Sequence, residues 1–155
     1  MPSESRLPTS PKDGPFLLAA LLCEKVLLEP DGVASAIRIV DQLTIQRVPD
    51  EALLKGAVVV PPVMHLSLLV ILKSGNAPGT YRMQIRGRAP SGTTLDFPPR
   101  EVELSKPYHG GVTHALQLDL GLREAGLYQF DVLIDDEFVS SVPLQVEFES
   151  LSPPT

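Results

Sequence analysis

Apolar and polar residues alternate with a period of two along most of the chain, the pattern of strands with one buried and one solvated face. The last third shows it most plainly. Tyr128, Phe130, Val132 and Ile134 share one parity. After Asp135-Asp136-Glu137 the chain returns with Phe138, Val142, Leu144, Val146 and Phe148 on one face, while Gln129, Asp131, Ser141, Gln145 and Glu147 lie on the other. An antiparallel hairpin with one wet face is predicted. Leu116, Leu118 and Leu120 alternate with Gln117 and Asp119 in the same way, and Tyr81, Met83 and Ile85 alternate with Arg82, Gln84 and Arg86. Eight strands follow, at 16–28, 34–46, 63–73, 80–88, 100–104, 112–120, 127–134 and 138–148. Only 50–56 reads as helix, one or two turns with Asp50 as cap and Gly56 as stop. With short connections and no βαβ spacing, such a chain closes its core by stacking two sheets.

The prolines support this parsing. There are 16 of them, twice the usual share, yet they do not mark a disordered chain. Ten fall between apolar runs, where the missing N–H breaks no ladder. Five lie in Ser/Pro-rich ends. Residues 1–14 read as a disordered leader and 150–155 as a disordered tail, flanking one domain at 15–149. Pro143 alone interrupts a run, which predicts an edge position or a bulge there. Gly87 is the one glycine inside a run.

Residues 120–132 bring a turn with Gly126, then Tyr128, then alternating apolars. This resembles the tyrosine-corner entry to a late strand of immunoglobulin-like domains, without the disulfide and tryptophan of antibodies. The fold expected is all-β, an immunoglobulin-like antiparallel β-sandwich of seven to eight strands. A wider resemblance covers about 16–148. Leu21-Leu22-Cys23-Glu24, the Asp31-Gly32 turn, Ala36–Leu43 and the Gly126–Phe130 hairpin look like an uncharacterised bacterial family of small sandwich proteins that opens with a Leu-Leu-Cys-acid strand. That family has no assigned activity, so the resemblance implies a fold and a bacterial cytoplasmic setting and transfers no functional residue.

Charge and cysteine narrow the partners. The net charge of −6 repels anionic polymers and lipid headgroups, so neither nucleic acid nor membrane is expected. The single cysteine, Cys23, cannot form an internal disulfide, which suits a reducing cytoplasm. Phe16–Cys23 has the outline of a lipoprotein signal. Its flank lacks the cationic start, and Leu22 stands where a small residue belongs.

Little points to catalysis. Cys23 sits in an apolar strand, where a thiol packs as a hydrophobe. His109 and His114 have no further ligand at zinc spacing, and His114 shares the inward parity of Leu116. The acidic turn 135–137 with Asp131 nearby reads as a solvated hairpin turn rather than a calcium site. No metal and no cofactor are expected, and no catalytic residue is assigned. Two features point to protein contacts. Arg82, Arg86 and Arg88 share one parity of a strand in an acidic protein, a stripe suited to acidic groups. Strand 16–28 is apolar on both parities, so Leu17 and Leu21 mark a surface for a protein partner or homodimer. The reading is a non-catalytic binding or assembly module. A carbohydrate- or lipid-binding sandwich is the alternative, for which Tyr108 is the one aromatic candidate. An enzyme with a site assembled from distant residues comes last.

Overall fold

The computed structural model describes residues 14–47, 63–105 and 111–150. Among these residues there are ten strands and no helix: β1 (Phe16–Leu28), β2 (Ala34–Ile39), β3 (Gln42–Arg47), β4 (Val63–Lys73), β5 (Gly79–Arg88), β6 (Thr94–Asp96), β7 (Arg100–Leu104), β8 (Gly111–Gly121), β9 (Gly126–Ile134) and β10 (Glu137–Ser150). The expected helix at 50–56, His109, Tyr108 and both chain ends lie outside the described residues.

Two sheets stack. The first has the order β2-β1-β4-β8, and the second β3-β10-β9-β5-β6, with β7 also beside β5. The period of two does the sorting. Leu66, Leu68, Val70 and Leu72 of β4 point inward with Leu116, Leu118 and Leu120 of β8. They meet Met83 and Ile85 of β5, Tyr128, Phe130 and Val132 of β9, and Val142, Leu144 and Val146 of β10. Each fully buried side chain of this size contributes about 1.5–3 kcal/mol relative to exposure. Gly87 is inside a strand because β6 crowds it: an added Cβ would stand 2.9 Å from Leu95 Cβ.

The segment read as one strand at 34–46 is split between the sheets. Val40 N–H donates to Leu22 O at 2.8 Å in the first sheet, and Asp41 O accepts from Gln145 N–H at 2.9 Å in the second. Beyond this step β3 runs parallel to β10, so the purely antiparallel expectation needs correcting at this ladder. A strand that changes sheets and pairs in parallel with the last strand, together with the tyrosine corner described below, makes the sandwich immunoglobulin-like. The other expected strands all form, and the three-residue β6 is an addition.

Two bulges correct the face assignments. In β10 the register shifts between Phe138 and Ser140, which leaves Val139 as the extra residue and pairs Phe138 with Leu133 on the outer face. Phe138 is therefore not on the face of Val142, and it is 63% exposed. In β1 the shift falls between Leu17 and Ala19. Leu17 turns inward against the core, while Leu18 is 58% exposed. A shift of one residue moves a side chain to the opposite face, and alternation alone does not reveal it.

Pro143 sits where the ladder tolerates it. It pairs with Gln129 of β9, but β3 begins its pairing only at Gln145. The Gln145 N–H points away from β9, toward Asp41. Two residues earlier, the missing N–H of Pro143 faces the same open side.

Candidate functional site

The arginine stripe lies on the outer face of the second sheet, and two of its three members are engaged by neighbouring acids. Arg88 Nη2 lies 3.1 Å and 3.2 Å from the two carboxylate oxygens of Asp131, whose side chain is only 13% exposed. Arg82 Nη1 is 3.5 Å from Asp136 Oδ1. Its backbone N–H donates to Asp135 Oδ1 at 2.8 Å, and Asp135 N–H donates to Arg82 O at 2.8 Å. Arg86 stands cross-strand from Asp131 and Asp96 with no ion pair among the described residues. Of the acids at and near the 135–137 turn, Asp131 and Asp136 thus face arginine side chains and Asp135 the Arg82 backbone.

Leu17 and Leu21 do not share a surface. Leu17 packs on the core, whereas Leu21 lies on the outer face of the first sheet, cross-strand from Leu69. The same face carries Leu27 of β1 and Ile37 and Ile39 of β2, all exposed, with Ile39 at 65%. Arg38 between the two isoleucines has φ +55° and donates from Nε to Glu24 Oε1 at 2.7 Å. Further across, His65 Nδ1 and Asp119 Oδ1 are 2.6 Å apart, both exposed. Cys23 is fully buried on this sheet and close to Ser67 O, and burial pushes its thiol pKa up.

A feature that sequence reasoning missed lies at one end of the sandwich. A cavity of about 310 Å³ opens between the sheets. Phe16 and Leu17 of β1, Leu72 of β4, Tyr81 of β5, Leu104 of β7 and Ile134 of β9 line it. Asp135, Glu137 and Val139 form its other border. The Tyr81 hydroxyl donates to Ala77 O at 2.7 Å, so the ring serves the cavity as an apolar wall. The turn beneath is a two-residue hairpin loop with Asp135 at φ +47° and Asp136 at φ +66°, as a type I′ turn requires. Only the acidity of this turn was legible beforehand. Leu17 and Val139, which line the cavity, stand at the two bulges.

Two predicted local features hold. Tyr128 is buried, its hydroxyl donates to Glu124 O at 2.9 Å, and Glu124 N–H donates back at 3.3 Å. His114 faces inward and is half-buried. Its Nε2 has no partner among the described residues. Burial, and then the nearby charge of Arg100, lowers its pKa. Among the described residues no group of three potential metal-ligating side chains comes together, and no helix is long and apolar enough to cross a membrane.

Several solved structures align with the chain at low identity. The β-glucosidase of Listeria innocua aligns over 86% of this chain at 13% identity and a TM-score of 0.48, and the chain spans only 16% of that enzyme. An immunoglobulin-like protein from Pseudomonas aeruginosa aligns over 88% of this chain and 98% of its own length, at 12% identity and a TM-score of 0.43. The alkylpurine DNA glycosylase of Pseudomonas fluorescens aligns over 83% of this chain and 30% of its own, at 9% identity and a TM-score of 0.42. At these scores the fold rests on the chain's own ladders. No curated protein matches the sequence. A family model does match, over residues 18–147, and the chain belongs to the family of unknown function DUF6941.

Proposed function

We propose that the protein is a non-catalytic protein-binding or assembly module of the bacterial cytoplasm, with the outer face of its first sheet as the contact surface. One observation carries this. An antiparallel sandwich sheet keeps its outer face polar, yet Leu27, Ile37 and Ile39 are exposed together there beside Leu21. β2 is also the edge strand of that sheet, so apolar contact and backbone pairing are available at one place. The arginine stripe contributes less. Asp131 and Asp136 already face Arg88 and Arg82, which leaves Arg86 as the cation open to an acidic group.

The test combines light scattering at tens of micromolar with affinity capture from the native host. Ile37→Asp with Ile39→Asp is compared with Arg82→Glu, Arg86→Glu, Arg88→Glu and the parent chain. The paired aspartates should dissociate a homodimer or remove the captured partner, and the arginine changes should have the smaller effect. An unchanged oligomeric state and partner list for the paired aspartates defeats the proposal.

A further inference from the structure

We propose that the open end of the sandwich is a docking cleft for an extended segment of a partner protein that carries one large apolar side chain bordered by lysine or arginine. This rests on the protein-binding reading above but places a second, separate contact on the molecule.

Four observations converge. The first is the cavity. About 310 Å³ walled by Leu17, Leu72, Tyr81, Leu104 and Ile134 lies at the lower end of ligand-pocket sizes. It suits one bulky anchor and is too small for the face of a helix. The second is the ladder beside it. Residues 137–144 of β10 pair with β9 alone, because β3 joins only from Gln145. The Ser141 N–H and C=O and the Pro143 C=O therefore face outward with no ladder partner among the described residues. Segment recognition by strand addition uses such groups for affinity and an adjacent pocket for specificity. The third is Val139, the exposed extra residue of the β10 bulge, which borders the cavity.

The fourth is charge. Asp135 and Glu137 line the mouth with Asp136 between them in the turn, and Arg82 faces Asp135 and Asp136. Arg82 occupies Asp135 through its backbone and Asp136 only at 3.5 Å, while the Glu137 carboxylate has no partner among the described residues. The border is net negative, so a cation beside the apolar anchor is favoured and a fatty-acid carboxylate is repelled. The same acids argue against a second copy, which would bring a like-charged turn. The bulge at Val139 and Pro143 also interrupt the edge and limit pairing to a few residues, which discourages copy-to-copy stacking.

The probes are fluorescein-labelled pentapeptides: Lys-Thr-Phe-Thr-Lys, Glu-Thr-Phe-Thr-Glu and Lys-Thr-Ser-Thr-Lys. Anisotropy titration of the full chain at low salt is paired with methyl NMR of Leu72, Leu104 and Ile134. The basic phenylalanine peptide should bind about tenfold or more tighter than the other two and shift those methyls. Val139→Trp, which fills the mouth, should cut its affinity about tenfold at unchanged melting temperature, and Glu137→Lys should shift preference toward the acidic peptide. Equal binding of the basic and acidic peptides overturns the cleft, as do absent methyl shifts at millimolar peptide. Octanoate moving the methyls more than the basic peptide overturns it too. Ile37→Asp with Ile39→Asp lies on another face and separates the two proposals. If the cleft variants change nothing while the isoleucine pair removes the partner, only the cleft falls; the converse result removes only the outer face.

Discussion

Tyr128→Phe isolates the corner that anchors β9. The ring is buried at 2% exposure and keeps its place, so the substitution removes one oxygen and leaves packing intact. That oxygen makes two contacts with one residue. It donates to Glu124 O at 2.9 Å and accepts Glu124 N–H at 3.3 Å. The shorter bond is the stronger loss, because its carbonyl is then left without a donor in a half-buried loop, while the longer N–H contact is marginal. A neutral hydrogen bond with a partly unsatisfied acceptor is worth about 1–2 kcal/mol. For a chain of this size that lowers Tm by about 2–8 °C. Circular-dichroism melting, with a urea titration whose slope stays constant, measures it. Burial also pushes the Tyr128 hydroxyl pKa up from its ordinary value of 10.0. The folded state then holds its proton longer than the unfolded chain. The contribution is complete below pH 10 and is lost as pH rises through the folded value, so the parent should lose stability at alkaline pH more steeply than the phenylalanine variant. A melting temperature within 1 °C of the parent would refute the corner as a stabilising contact.

His114 should set the acid side of the stability profile. Its folded pKa lies below the ordinary 6.5, so the unfolded state takes up protons first, and stability falls as pH drops through 6.5 toward the folded value. His114→Gln should flatten that slope in urea midpoints measured from pH 7 to 4; an unchanged slope rejects the assignment. Asp136→Gly should stabilise by about 0.5–1 kcal/mol, since glycine relieves φ +66° and the Arg82 contact it removes is long and exposed. A lower urea midpoint counts against that. Cys23 should react with a thiol-specific disulfide reagent only as fast as the chain unfolds, because it is buried and its pKa is raised. A burst of reaction in the native protein rejects its burial.

What the sequence made legible was whatever depends on period two and punctuation. Strand positions, inward parity at Leu116 and His114, the tyrosine corner and the edge setting of Pro143 all follow from local chemistry. What stayed hidden depends on single-residue insertions and on which strands meet. Leu18 and Val139 look like ordinary strand residues in the sequence, yet each is the extra residue of a bulge that reassigns its neighbours. The arginines at 82 and 88 read as a free basic stripe because their acidic partners, Asp136 and Asp131, lie 54 and 43 residues away in sequence. The parallel β3–β10 ladder was hidden for the same reason, since nothing in 42–47 names a partner more than 100 residues distant.

Pro143 and the open end are two aspects of one arrangement. β3 starts its ladder only after the chain has stepped between the sheets at Val40 and Asp41, so its first partner on β10 is Gln145. Were β3 to reach two residues further, its carbonyl would face the nitrogen of Pro143, which has no hydrogen to give. Among the described residues the first half of β10 has no ladder partner on that side, and both Pro143 and the bulge at Val139 fall within it. β1 mirrors this, since β2 covers Cys23–Leu28 and Val40 reaches Leu22, which leaves Phe16–Leu21 beside β4 alone among the described residues. The half-covered parts of β1 and β10 come together at this end, and Phe16, Leu17, Glu137 and Val139 from these two strands border the cavity. Residues that look like defects in a strand, a proline and two insertions, thus fall on the two strands that border the cavity.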